Sequence, residues 1–230
     1  MTIHGFQKTT LLDFPGKVAA TVFTAGCNLR CPFCHNALLV TEIDPQSALD
    51  SEELLAYFDK RRGILDGVCV SGGEPLLQPD VFDFMRRIRD MGLAIKLDTN
   101  GAYPDRLCQA VEEGLVDYVA MDIKNSRAKY PLTVGIPTFD VRPIEESVAY
   151  LMSDAVDYEF RTTVVAEFHT LQDMEEIGGW IAGAKRYFLQ NFVDSDHLID
   201  PNVHGVDESS MKALQRIASK YVKKVELRGI

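Results

Sequence analysis

From Val18 onward, short apolar runs alternate with amphipathic stretches along the chain. The runs at residues 18–23, 68–70, 94–97, 118–121, 158–165 and 187–189 have the length and the β-branched or aromatic content of buried strands. Between them the spacing predicts helices. Residues 51–62 open with a capping serine and two acidic residues, which suit a helix N-terminus. Over residues 80–91, Val81, Phe84, Met85, Ile88 and Met91 fall on one stripe. Residues 104–113 begin with proline, tolerated in the first helical turn. Three of these helices stop at Gly63, Gly92 and Gly114, the residue type favoured in the left-handed closing position. Residues 143–153, 171–184 and 207–220 supply three more.

Strand–helix repetition with right-handed crossovers implies a parallel sheet. Six such units fall short of the eight in a closed (β/α) barrel. The pattern fits a partial, open barrel and a doubly wound sheet equally. No low-complexity linker divides the chain, so a single domain over residues 1–230 is expected, with a core at about 16–192 and a C-terminal extension at about 193–230. Residues 194–208 are polar and carry Pro201 and Gly205, as a functional or flexible loop would.

Composition narrows the class. A domain of 230 residues buries roughly 70–75% of its unfolded surface and needs neither disulfide nor metal to hold a core. Hydrophobic content of 46% and charged content of 25% are ordinary for a globular protein. No apolar run approaches the roughly 18 residues of a membrane span. The opening Met1-Thr2-Ile3-His4-Gly5 lacks the basic region and apolar core of a secretory signal, so a cytoplasmic location is expected. A formal charge of −10 argues against binding a nucleic-acid backbone.

Three of the five cysteines lie close together, in Gly26-Cys27-Asn28-Leu29-Arg30-Cys31-Pro32-Phe33-Cys34-His35-Asn36. This stretch follows the first predicted strand, and parallel α/β folds build active sites at strand C-terminal ends. Such clustering points to metal or redox chemistry, not to a disulfide framework. Thiolates suit zinc and iron–sulfur clusters alike. A structural site normally takes four protein ligands. Here three converge, while Cys69 and Cys108 lie in apolar stretches and read as small buried hydrophobes. His35 completes a Cys₃His zinc site on paper, although adjacent Cys34 and His35 reach one tetrahedral metal with difficulty. Three thiolates on a cubane leave one iron open to a substrate or cofactor, and this reading is preferred to zinc.

The C-x₃-C-x₂-C spacing, with an aromatic before the last cysteine, resembles the hallmark of the radical S-adenosylmethionine (SAM) superfamily. Downstream segments follow in the same order. Ser71-Gly72-Gly73-Glu74-Pro75 ends the second predicted strand; glycines permit close backbone approach, and Glu74 offers an acceptor for an ammonium group. It resembles the superfamily's GGEP motif, which implies contact with the SAM amino group. Leu97-Asp98-Thr99-Asn100-Gly101 and Met121-Asp122-Ile123-Lys124 each put a carboxylate at the same rim. They are similar to the D-T-N-G and D-[IL]-K segments of glycyl-radical activating enzymes. The resemblance implies that Asp98, Thr99, Asp122 and Lys124 surround the polar end of SAM, with a monovalent cation beside them.

Arg161 lies within a β-rich run and needs a partner if it points inward. A carboxylate suits the guanidinium: an internal one, from Asp122 or Glu159, or the SAM carboxylate that the resemblance implies. Phe33 either contacts adenine or packs beneath the loop, and Asn36 either bonds within the pocket or caps a helix. His169, His197 and His204 read as surface or loop residues, and Trp180 as core.

The opening Gly5-Phe6-Gln7-Lys8-Thr9-Thr10-Leu11-Leu12-Asp13-Phe14-Pro15-Gly16-Lys17 resembles glycyl-radical activating proteins of the anaerobic ribonucleoside-triphosphate reductase type, and matching motifs extend to about residue 192. The fold implied is a partial (β/α)₆ TIM-type barrel, open. The activity implied is reductive cleavage of SAM at one [4Fe–4S] cluster held by Cys27, Cys31 and Cys34. The partners implied are a flavodoxin or ferredoxin as electron donor and a glycyl-radical enzyme as target, anaerobic ribonucleotide reductase foremost. Pyruvate formate-lyase or a small molecule is the alternative target. Two departures stand out. Asp13-Phe14-Pro15-Gly16-Lys17 lacks the D-G-P-G-x-R pattern usual in pyruvate formate-lyase activases, and Gln190-Asn191 stand where those enzymes read L-P-[FY]-H. No cysteine-rich insert separates Cys34 from Gly72, so one cluster is expected.

Overall fold

Successive side chains of a strand point to opposite faces, and that alternation decides where apolar and charged residues go in this chain. The computed structural model describes residues 1–194 and 198–230; His197 lies outside them. In order, the elements are β1 (Ile3–Thr10), β2 (Ala19–Thr24), α1 (Leu38–Thr41), α2 (Ser51–Lys60), β3 (Gly67–Gly72), α3 (Val81–Asp90), β4 (Ala94–Thr99), α4 (Pro104–Glu112), β5 (Tyr118–Asp122), α5 (Tyr130–Thr133), α6 (Arg142–Met152), β6 (Asp157–Val164), α7 (Leu171–Trp180), β7 (Tyr187–Asn191), α8 (Glu208–Ala218) and β8 (Val225–Arg228). All eight strands join one sheet in chain order. β1 runs antiparallel to β2, and every later neighbour pair is parallel. Among the described residues β1 and β8 do not pair, so the sheet stays open, a partial barrel of the TIM type.

One set of strand positions, including Val68, Val70, Ile95, Leu97, Val119, Met121 and Phe160, packs into the main core with Phe58 of α2, Phe84, Met85 and Ile88 of α3, and Leu151 of α6. Burying one such side chain contributes about 1.5–3 kcal/mol, so this layer holds the sheet to its helices. The alternate positions face the concave side and are largely polar or charged: Thr21, Cys69, Lys96, Asp98, Asp122, Glu159 and Arg161. One end of that concave side is closed by a small separate cluster of Phe14, Ala19 and Tyr118.

The six predicted strands are β2–β7, and the six predicted helices are α2, α3, α4, α6, α7 and α8. Two strands escaped the reading. β1 is mostly half-buried or exposed, and β8 is a four-residue edge strand half-buried throughout, so neither shows a run of buried residues. The cap of α2 is Asp50, whose carboxylate accepts from the Glu52 N–H, so Ser51 is the first helical residue and not the cap. His169 lies in the loop between β6 and α7, in keeping with the surface or loop position expected, but it is buried; its Nε2 lies 2.8 Å from the Lys124 carbonyl and its Nδ1 pairs with Val165. His204 is exposed and pairs with Glu167. Trp180 packs edge-on against Tyr130 and lies under Arg127. Among the described residues no helix is long and apolar enough to cross a membrane.

Candidate active site

The cysteine loop leaves the end of β2 and is held on three sides. The Gly26 N–H donates to the Leu39 carbonyl, the Arg30 N–H to the Val134 carbonyl, and the Ala25 N–H to the Thr2 carbonyl. The two residues that follow β3 press against it: Gly73 N–H donates to Thr24 O at 2.8 Å and Glu74 N–H to Gly26 O at 2.9 Å. On the far side Gly135, at φ +71°, sits so near that a Cβ there would lie 2.2 Å from the Arg30 carbonyl oxygen. Only glycine allows that approach.

Cys27, Cys31 and Cys34 line one cavity of about 170 Å³. Every other site residue singled out from the sequence lines it too, namely Phe33, Asn36, Gly72, Gly73, Asp98, Thr99, Asp122, Lys124 and Arg161, with the exception of Glu74. Glu74 is fully buried behind the wall, where its carboxylate accepts from Leu76 N–H, Thr99 Oγ1 and Asn100 N–H. Burial pushes its carboxyl up to about 7 against those hydrogen bonds. Its observed contacts tie the end of β3 to the end of β4. Asn36 donates to the Gly72 carbonyl at 3.1 Å, a bond within the pocket wall. Phe33 is buried against Phe168, His169 and Phe192.

The rim is an alternating ladder of charge. Arg161 Nε bonds Asp122 at 2.9 Å, and Arg161 Nη1 lies 3.4 Å from Asp98. Lys124 pairs with Asp122 at 2.8 Å, Lys96 pairs with Asp98, and Ser71 Oγ donates to Asp98 at 3.0 Å. Burial acts to raise both carboxyls, but Arg161 with Lys124 holds Asp122, and Arg161 with Lys96 holds Asp98, below the usual range. Of the two internal partners weighed for Arg161, Asp122 is the one it meets. Glu159 takes Arg228 and Tyr118 instead.

The donor set fits an iron–sulfur cluster. Burial raises the Cys27 thiol to about 11 and the Cys31 thiol to about 12, so these groups keep their protons until a metal replaces them. Cys69 lies apart on the concave face, 3.9 Å from Lys96 Nζ. His35 is turned onto Phe192, its Nε2 3.0 Å from the Val193 carbonyl. Among the described residues no three His, Cys, Asp or Glu side chains are grouped to hold a single metal ion. Thiolates that each bind a different iron of a cluster stand further apart than those sharing one ion.

Several wall residues were not singled out from the sequence, Leu29, Val40, Thr163 and Asn100 among them. Asn100 lines the cavity, and its Nδ2 lies 3.6 Å from Cys27 Sγ and 2.9 Å from Asn28 Oδ1. The signal for Asn100 is its place in the Asp98-Thr99-Asn100-Gly101 stretch, directly after Asp98 and Thr99. A second cavity of about 500 Å³ shares Asp98 and Arg161 with the first and reaches Leu12, Pro15, Val193 and Gly229.

Comparison with known proteins agrees with this chemistry. The radical SAM superfamily profile matches residues 21–181. A Methanocaldococcus jannaschii protein with the provisional name glycyl-radical enzyme activating enzyme is 30% identical over 99% of this chain and 96% of its own length. The pyruvate formate-lyase-activating enzyme of Clostridium pasteurianum is 34% identical over 54% of this chain, which spans only 52% of that enzyme. Among solved structures, Streptococcus suis SuiB bound to S-adenosylmethionine superposes with a TM-score of 0.70 at 12% identity, over 90% of this chain and 49% of SuiB. A domain of the pyruvate-formate lyase-activating enzyme from Bacteroides vulgatus gives 0.58 at 16% identity, over 71% of this chain and 99% of that domain. Identities this low speak for the fold.

Proposed function

The chain belongs to the radical SAM superfamily, and from that premise we propose that it cleaves SAM reductively at one [4Fe–4S] cluster and installs a glycyl radical on a partner enzyme. The observation that carries this reading is the meeting of three cysteine thiols, one buried and two half-buried, with a ladder of paired charges around one cavity. Cys27, Cys31 and Cys34 would hold the cluster and leave one iron for SAM. When bound, the cluster supplies one electron to the SAM sulfonium, which releases methionine and a 5′-deoxyadenosyl radical able to take a hydrogen atom.

The chain's own residues bind, orient and exclude water. Asp98, Thr99 and Asp122 would take the SAM ammonium, and Arg161 its carboxylate, with Asp98, Asp122 and Arg161 each exchanging part of a present ion pair. Gly72 and Gly73 present backbone to the ligand without a side chain in the way. Phe33 gives the adenine an apolar surface. Asp98 and Asp122 already carry Lys96, Lys124 and Arg161, so these basic groups supply the positive charge that a monovalent cation would otherwise bring. The larger cavity gives a glycine-bearing segment of the partner a route inward, past Leu12 and Val193 at its rim.

The full-length likeness to the archaeal protein supports a glycyl-radical enzyme as target. Anaerobic ribonucleotide reductase is the favoured one, on the resemblance of residues 5–17, with flavodoxin or ferredoxin as electron donor. The test is anaerobic reconstitution with iron and sulfide, followed by SAM, reductant and candidate partner. The expected results are an absorption band that bleaches with dithionite, 5′-deoxyadenosine, and a doublet glycyl signal by electron paramagnetic resonance. A doublet on pyruvate formate-lyase alone would reassign the target. Stoichiometric zinc without iron would overturn the reading.

A further inference from the structure

We infer that Asn100 sets the reduction potential of the cluster by donating an N–H to the Cys27 sulfur; this rests on the cluster reading above. Asn100 is only 6% exposed, and its amide is fixed at both ends. Its Oδ1 accepts the Ala102 N–H at 2.9 Å, while its Nδ2 faces Asn28 Oδ1 at 2.9 Å and Cys27 Sγ at 3.6 Å. The opposite amide orientation would set oxygen against oxygen and donor against donor, so the network assigns the nitrogen to the sulfur side. The main-chain N–H of Asn100 is anchored in turn by Glu74 Oε2 at 2.7 Å. Leu29 N–H, 3.4 Å from the same sulfur, is the second donor.

A cysteine sulfur bound to iron carries more negative charge when the cluster is reduced. An N–H aimed at it stabilises that state more than the oxidised one and raises the potential. Asn100 thus acts through Cys27 as a positioning residue. Glu74, shut off from the cavity, acts one step further back by holding the Asn100 backbone.

The experiment uses the full chain, reconstituted anaerobically, with no SAM and no partner. The reduced fraction is read by electron paramagnetic resonance at a fixed ambient potential set by redox mediators. Asn100→Ser is too short to reach the sulfur, yet its hydroxyl still accepts from the Ala102 N–H. It is expected to lower the ratio of reduced to oxidised cluster about tenfold, equivalent to about 59 mV for a one-electron couple. Asn100→Asp keeps the shape and the Oδ1 acceptor while replacing the donor with an acceptor, and shifts the ratio further the same way. Full iron content with a ratio within about twofold of the wild type in both variants overturns the inference. Loss of iron from both overturns it as well, because a residue needed for assembly is structural. A wild type that takes up no cluster defeats the underlying reading instead, so the two failures are distinct.

Discussion

A Cβ on Gly73 would lie 2.0 Å from the carbonyl oxygen of Gly26. The end of β3 and the start of the cysteine loop therefore meet backbone to backbone. Gly73→Ala must push them apart, breaking the bond from Glu74 N–H to Gly26 O. The expected outcome is a cost of about 1–3 kcal/mol, as for overpacking elsewhere, and a fall in bound iron. Thermal unfolding of the metal-free chain and an iron and sulfide assay check both.

Cys31→Ala should abolish iron binding and SAM cleavage while the metal-free fold persists. Cys31 is buried within the main core, so trading sulfur for hydrogen costs about 1 kcal/mol of packing. Circular dichroism of the metal-free variant is the check. Outright unfolding would make that sulfur a structural element.

Glu74 makes the stability of the metal-free chain depend on pH. Its folded-state pKa is raised from 4.5 to about 7, chiefly by burial. Between those values the folded chain keeps a proton that the unfolded chain has released. The stabilisation is full below about pH 4.5 and is lost as pH rises through about 7, to the extent of about 3 kcal/mol. Glu74→Gln should start lower, because its amide cannot accept from both backbone N–H groups, and should lose this slope. Urea unfolding at a series of pH values measures it.

Arg161→Met removes the bridge between Asp98 and Asp122 and leaves each with a lysine alone. Breaking a buried pair from one side costs about 3–5 kcal/mol, discounted here because each carboxylate keeps one partner. SAM affinity of the reconstituted protein should fall by more than tenfold. Arg161→Lys should recover part of the stability but little of the affinity, since one ammonium cannot span two carboxylates. Calorimetric titration with SAM reads the difference.

Much of this site was legible in the sequence because it stands at strand ends, where motif residues fall at predictable places. Cys27, Gly72, Asp98 and Asp122 each follow or close a recognisable apolar run. What escaped depends on approach in three dimensions. Gly135 lies in an unremarkable loop, and its contact with Arg30 leaves no mark on local pattern. Glu74 looked like a ligand-facing carboxylate, yet three donors from its own and the neighbouring strand end turn it inward. His169 does lie in a loop, but a lone histidine gives no hint of the Lys124 carbonyl that it meets in the interior. β1 and β8 went unread for a related reason: edge strands with one exposed flank need no continuous apolar run.

The mutual pairing of Lys96, Asp98, Arg161, Asp122 and Lys124 bears on which small molecules can settle here. A ligand with a single sign of charge would claim one member and strand its former companion in a poorly hydrated place. An α-amino acid group brings both signs on neighbouring atoms and can substitute for both halves of a contact at once. The cavity should thereby discriminate for zwitterions, and simple acids or simple amines of equal size should bind it far more weakly.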